Sequence, residues 1–190
     1  MEDKLIVQSA ELFKDEETWS SFIELQKIIP KIKSYWIKSF ADYLNKNKIE
    51  NPSTWKFKVW PTGGVWYLSN EPKENHSLGI WIENGVFSIW AQSSSFKIDV
   101  IKEMLRNDRF SPIKNLFPNS EINSGSDGYI IKDLTPFEDD STIPLNNDQF
   151  AWYCKHQPDI LKEQLSNKLN EFFTEDVTAL IQELNNESRK

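Results

Sequence analysis

All six glycines of this 190-residue chain fall between positions 63 and 128; the first 62 residues and the last 62 contain none. Glycine weakens helices and supplies turns. A chain that confines glycine to its centre is expected to be helical at both ends, with a turn-rich sheet between them.

The central pattern agrees. Residues 55–60, WKFKVW, alternate, with Trp55, Phe57 and Val59 on one side and Lys56, Lys58 and Trp60 on the other. Pro61-Thr62-Gly63-Gly64 reads as a turn, and 65–69, VWYLS, as the returning strand. LGIWIE at 78–83 and VFSIWAQ at 86–92 flank Asn84-Gly85, a strong signal for a tight hairpin. YIIKDL at 129–134 adds a fifth candidate strand.

The flanks have helical spacing. Phe22, Leu25, Ile29, Ile32, Trp36, Phe40 and Tyr43 recur at steps of three and four, interrupted by Pro30. Pro30 predicts either a kink or a new helix start, and Thr18 or Ser20 is the expected cap. A short helix is expected over 3–14. Ser93–Ser95 are expected to cap a helix over 96–107. Helices are expected over 148–156, 158–173 and 175–186, the last capped by Thr174, with a frayed tail from Asn185. The fold class is therefore α+β: a mainly antiparallel sheet of four to five strands (about 55–92 and 129–134) flanked by N-terminal and C-terminal helices. One domain is expected, helical over 1–48, sheet-rich over 53–134 and helical over 148–186.

Apolar residues make up 38% of the chain and aromatic residues 13%, enough to build a core and to argue against disorder. No apolar run approaches the roughly 18 residues that span a bilayer, and the opening MEDKLIVQSAELF lacks a secretory pattern. With a single cysteine, Cys154, no internal disulfide forms, which points to the cytoplasm.

The net charge of −7 opposes sequence-independent binding to a phosphate backbone. Charge is unevenly spread. Segment 27–48 holds six lysines and one aspartate, with Lys27, Lys31 and Lys38 opposite the apolar stripe. Segment 121–148 holds seven acids and one lysine, including Glu138-Asp139-Asp140. Those acids lack the alternating spacing around a central glycine of a calcium loop. NSGSDG at 123–128 lacks the lysine of a phosphate-binding loop and reads as a connector.

Cys154 and His156 lie two apart on a predicted helix, so they do not share a face. With two histidines and one cysteine, a structural zinc site is not expected. The acid followed by Glu-x-Lys of restriction-type nucleases is absent: Glu83 ends its strand, and VFSIWAQ carries neither acid nor lysine. No cofactor, metal or catalytic set is expected.

What remains is binding. Trp55, Trp60, Trp66, Tyr67, Trp81, Phe87 and Trp90 crowd the strands. Most fill the core; Trp60 and Trp66 flank the turn and are candidates for exposure. The expected function is protein–protein binding by a small inhibitor, immunity-type or accessory protein, toward a partner that is basic in character. The candidate contacts are Trp60, Trp66, Lys56, Lys58, Glu138, Asp139 and Asp140. One alternative is a nucleic-acid or small-ligand module that uses the aromatic hairpins and lysines. A second is an enzyme whose site gathers Glu83, Asp133 and His76 from a distance.

Overall fold

The computed structural model describes residues 11–13, 15–118, 120–123 and 128–190. Most of the expected helix over 3–14 and most of the 123–128 connector lie outside the described residues; residues 11–13, which are described, are not helical. Contacts divide the chain into two compact units, Met1–Tyr35 and Trp36–Lys190.

In the first unit, Phe13, Trp19 and Phe22 pack ring on ring, with centroids 4.7–6.0 Å apart. Here helix α1, Glu16–Lys46, begins. Its cap is Asp15, whose carboxylate accepts the Thr18 amide at 2.7 Å, and not Thr18 or Ser20. Pro30 lies inside α1 and neither ends it nor starts a second helix.

The second unit holds the sheet: β1 Trp55–Trp60, β2 Gly63–Leu68, β3 Gly79–Glu83, β4 Val86–Trp90 and β5 Tyr129–Asp133. The spatial order is β1-β2-β3-β4-β5, and every neighbouring pair is antiparallel. The remaining helices are α2 Ile98–Arg106, α3 Ser111–Asn115, α4 Asn147–His156, α5 Pro158–Phe172 and α6 Glu175–Ser188.

Register gives the sheet two unlike faces. One cross-strand row runs Phe57, Trp66, Ile80, Ile89, Ile131. This inner face meets the helices in one core with Leu161, Leu165, Leu169 and Phe172 of α5, Val177, Ile181 and Leu184 of α6, and Phe40 and Leu44 of α1. Phe87 packs against Phe172 at 5.5 Å, and the Trp55 indole donates to Thr178 Oγ1 at 3.2 Å. The spacing of the α5 residues is the helical i, i+4 stripe that places them on one face. Each such buried side chain contributes about 1.5–3 kcal/mol.

The two hairpins turn for different reasons. Asn84 and Gly85 both have positive φ, 49° and 81°, as a two-residue primed turn requires. The first hairpin turns at Pro61-Thr62 alone, because Gly63 and Gly64 are strand residues paired with Trp60 and Val59. Close approach explains these glycines, not the turn. A β-carbon on Gly63 would stand 1.9 Å from the Ile82 carbonyl oxygen, and one on Gly64 would stand 2.7 Å from the Phe57 ring.

Two further expectations are corrected. Lys97 occupies the N-cap of α2 with no side-chain cap bond, so Ser93–Ser95 do not cap it. The segment from Asn185 is fixed, not frayed: Asn185 and Ser188 are buried, and Arg189 forms a bridge with Phe96. Polar links hold it. Asn185 Oδ1 accepts the Leu78 amide at 2.8 Å, and its Nδ2 donates to buried Glu71 at 2.8 Å.

Among the described residues no helix is long and apolar enough to cross a membrane.

Candidate functional site: the outer face of the sheet

An antiparallel sheet with one face on the core commonly turns polar residues to the other. Here the outward positions carry rings. One row runs Lys58, Val65, Trp81, Ser88, Lys132; the next runs Lys56, Tyr67, Gly79, Trp90, Tyr129; a third runs Trp60, Gly63, Glu83, Val86.

Trp60, Trp81 and Trp90 form a continuous stripe across these rows. The ring centroids of Trp60 and Trp81 lie 4.8 Å apart and those of Trp81 and Trp90 4.7 Å apart. All three are half-buried, as are Tyr67 and Tyr129. Beneath them Val65, Ser88, Gly63 and Gly79 are buried, so the rings lie down over a floor of small residues. The Trp81 Nε1 is buried without a hydrogen-bond partner among the described residues. Such an orphan donor costs about 1–3 kcal/mol, which the stripe's packing must offset.

Charge forms the rim. Lys56 and Lys58 are exposed. Lys58 pairs with Glu74, whose carboxyl this contact holds below its ordinary value. Lys56 Nζ donates to the Glu71 carbonyl at 3.3 Å, and Lys132 Nζ sits 3.9 Å from the centre of the Tyr129 ring. Glu83 accepts from Thr62 at 3.3 Å and from the Tyr129 hydroxyl at 3.4 Å.

Of the expected contacts, Trp60, Lys56 and Lys58 come together on this face. Trp66 does not join them. It lies fully buried on the inner face, stacked on Phe57 at 4.5 Å.

Glu138, Asp139 and Asp140 lie elsewhere, on the helical side of the sheet. Gln164 of α5 clamps the Glu138 backbone, accepting from its amide at 3.0 Å and donating to its carbonyl at 2.8 Å. Asp139 turns its carboxylate onto its own loop, accepting from the amides of Ser141 and Ile143 at 2.8 and 3.0 Å. Only Glu138 and Asp140 are exposed. Near them lies an anchor that helical periodicity did not single out: Trp152, 43% exposed and stacked on His156 at 4.8 Å. Its neighbour Tyr153 has its hydroxyl pKa raised, by desolvation first and then by Asp140 and Asp139.

The distant acids do not converge. His76 precedes β3 and Glu83 ends it, so they stand at opposite ends of a strand about 13 Å long. Asp133 pairs with Lys168 of α5 at 3.5 Å. Cys154 is buried, which pushes its thiol pKa up and leaves it a poor nucleophile. Among the described residues no three His, Cys, Asp or Glu side chains are grouped to hold a metal.

No family model matches the chain, and neither does any curated protein or solved structure, so the reading of this face rests on its own geometry.

Proposed function

We propose that this is a protein-binding domain that docks its partner on the outer face of the sheet, in the manner of a small inhibitor, immunity-type or accessory protein working in the cytoplasm. The observation that supports it is the stripe of Trp60, Trp81 and Trp90, half-exposed inside a rim of charge. Protein interfaces concentrate binding energy in central aromatic anchors and surround them with polar groups that exclude water.

Size sets the footprint. Five strands and five residues per strand give a face of about 19 by 17 Å. That is less than half of the roughly 800 Å² each partner contributes to a standard interface. The lysine rim and the loop before β3 therefore belong to the contact. Binding to a phosphate backbone is less well supported, since Lys58 is paired with Glu74 and Glu83 lies among the rings.

The test is partner capture from native lysate with the wild-type chain and with Trp60→Ala/Trp90→Ala. A stoichiometric protein held by the first and lost by the second is the expected result. Equal retention by both rejects this face. A salt-sensitive gel shift with an oligonucleotide, with no protein retained, would favour a nucleic-acid module.

A further inference from the structure

Helix α1 is apolar along its length but buried only near its end. Its buried residues are Phe40, Ala41 and Leu44; no side chain from Glu16 to Ser39 is buried. Within that stretch Leu25, Ile28, Ile32 and Tyr35 follow steps of three, four and three, which sets them in one row. The row lies about 150° around the helix from the buried residues, so it does not continue the face that meets the core. Leu25, Ile28 and Tyr35 are 48%, 44% and 64% exposed. Phe22 and Ile29, half-buried, flank the row on one side. The next position along it, Ser39, is already engaged, its hydroxyl donating to the Cys154 carbonyl at 3.4 Å. Large apolar side chains exposed in one contiguous row mark a contact surface.

Charge runs along this helix in two blocks. Residues 15–24 hold four acids and no base, and residues 25–38 hold four lysines and no acid. Glu17, Glu24, Lys31 and Lys38 recur every seven residues and are all exposed. That period places them along the other flank of the row, where charges set the direction and register of paired helices. Pro30 falls on the opposite side of the helix, clear of the row.

We propose that α1 pairs antiparallel with α1 of a second copy of this chain, through the row centred on Leu25 and Ile28. A two-fold axis between the helices sets Leu25 of each copy opposite Ile28 of the other. Phe22 of one copy then meets Ile29 of the other, while Glu24 and Glu17 come beside Lys31 and Lys38. Parallel pairing would instead lay acids along acids and lysines along lysines. Sliding one helix by a heptad brings Lys31 against its own symmetry mate in one direction and Glu24 against its own in the other. Charge therefore selects both the direction and the register.

The overlapped stretch, about 24 residues or 36 Å of helix, buries on the order of 1,000 Å² over both copies, the lower limit of a specific interface. The dimer is therefore expected to be reversible, with a micromolar dissociation constant. A lysine-flanked apolar helix also suits an anionic bilayer, but the acids of its first half oppose that surface. The row shares no residue with the tryptophan stripe, and the two stand or fall separately.

The test is sedimentation equilibrium of the whole chain, from low micromolar to several hundred micromolar. The mass is expected to rise from one chain toward two. Leu25→Ser/Ile28→Ser changes only exposed side chains, so it should stay monomeric with its helix content, read by circular dichroism, unchanged. Glu24→Lys and Lys31→Glu should each weaken self-association about tenfold. Mixed together, those two variants should pair as the wild type does, because each then meets the opposite charge on the other. Trp60→Ala/Trp90→Ala should dimerise like wild type. A wild-type chain that stays monomeric throughout, a dimer that survives Leu25→Ser/Ile28→Ser, or charge variants that fail to rescue each other overturns the proposal. A monomer recruited to vesicles of phosphatidylcholine and phosphatidylserine overturns it too, and assigns the row to a membrane surface.

Discussion

The indole of Trp81 lies over Gly79. A β-carbon at position 79 would fall 2.4 Å from Trp81 Nε1 and 2.6 Å from Val65 Cγ2. The two residues share the outer face two positions apart on β3, and the absent side chain of one makes room for the ring of the other. Gly79→Ala is therefore expected to lift Trp81 away from Trp60 and Trp90. The cost should be about 1–3 kcal/mol, the usual range for overpacking. Thermal unfolding measures that cost, and near-ultraviolet circular dichroism reports the rings. A variant with both unchanged would show that Trp81 is not seated on this glycine.

Trp60 and Trp66 should respond oppositely to truncation. Trp66→Ala opens a cavity in the core and is expected to destabilise by about 3–5 kcal/mol. Trp60→Ala removes a half-exposed ring, so it should cost much less stability while weakening partner binding by about 2 kcal/mol or more. Denaturant unfolding and an affinity measurement on both variants decide it. Equal stability losses would contradict the two-faced sheet.

Lys58 and Glu74 make a pair that depends on pH. The Glu74 carboxyl, ordinarily 4.5, is lowered first by its hydrogen bond from Lys58. A lowered folded value means that the stabilisation is present above the unfolded value and fades as pH falls through the folded one. The side chains are 52% and 25% exposed, so the effect is below about 1 kcal/mol. The small stability deficit of Glu74→Gln at neutral pH should shrink and then vanish as acid titrates the folded carboxyl below its ordinary range. A deficit that persists in acid would mean the pair is not its source.

Cys154 should resist thiol reagents. Burial raises its pKa and denies access to the sulfur. A disulfide reagent is expected to label it at the rate of unfolding in the native protein and at once in denaturant. Rapid native labelling would show that α4 opens readily around it.

Asn185 joins three parts of the chain, so Asn185→Ala should be costly despite its small change in volume. It leaves the buried Leu78 amide without its acceptor and Glu71 without one donor. Stranding such groups costs about 1–3 kcal/mol each. A denaturant midpoint equal to wild type would mean that other groups take over both bonds.

The sequence shows some of this plainly and hides the rest for physical reasons. Asn84-Gly85 and the leucines of α5 are local signals, each readable within one element, and both elements form where expected. Parity alone separates Trp60 from Trp66, since a two-residue and a four-residue loop both put Trp66 on the opposite face. The stripe is harder to see. It needs the register of β1 through β4 together, and nothing in WKFKVW or LGIWIE alone reveals that Trp60 reaches Trp81. Gly63 and Gly64 resemble turn residues until the carbonyl of Ile82 and the ring of Phe57 are in place. The links from Glu71 to Asn185 and Arg189 join residues 114 and 118 positions apart, beyond any local pattern.

That last separation bears on how the chain folds. The β1–β2 and β3–β4 hairpins close over two-residue loops and should assemble early, whereas β5 reaches β4 only across the segment 91–128. The bonds from α6 back to Glu71, Leu78 and Lys97 close loops of about a hundred residues and reward the chain only once the sheet and helix are both present. Formation of this long-range clasp is thus the expected rate-setting event, and Asn185→Ala should slow folding more than it speeds unfolding.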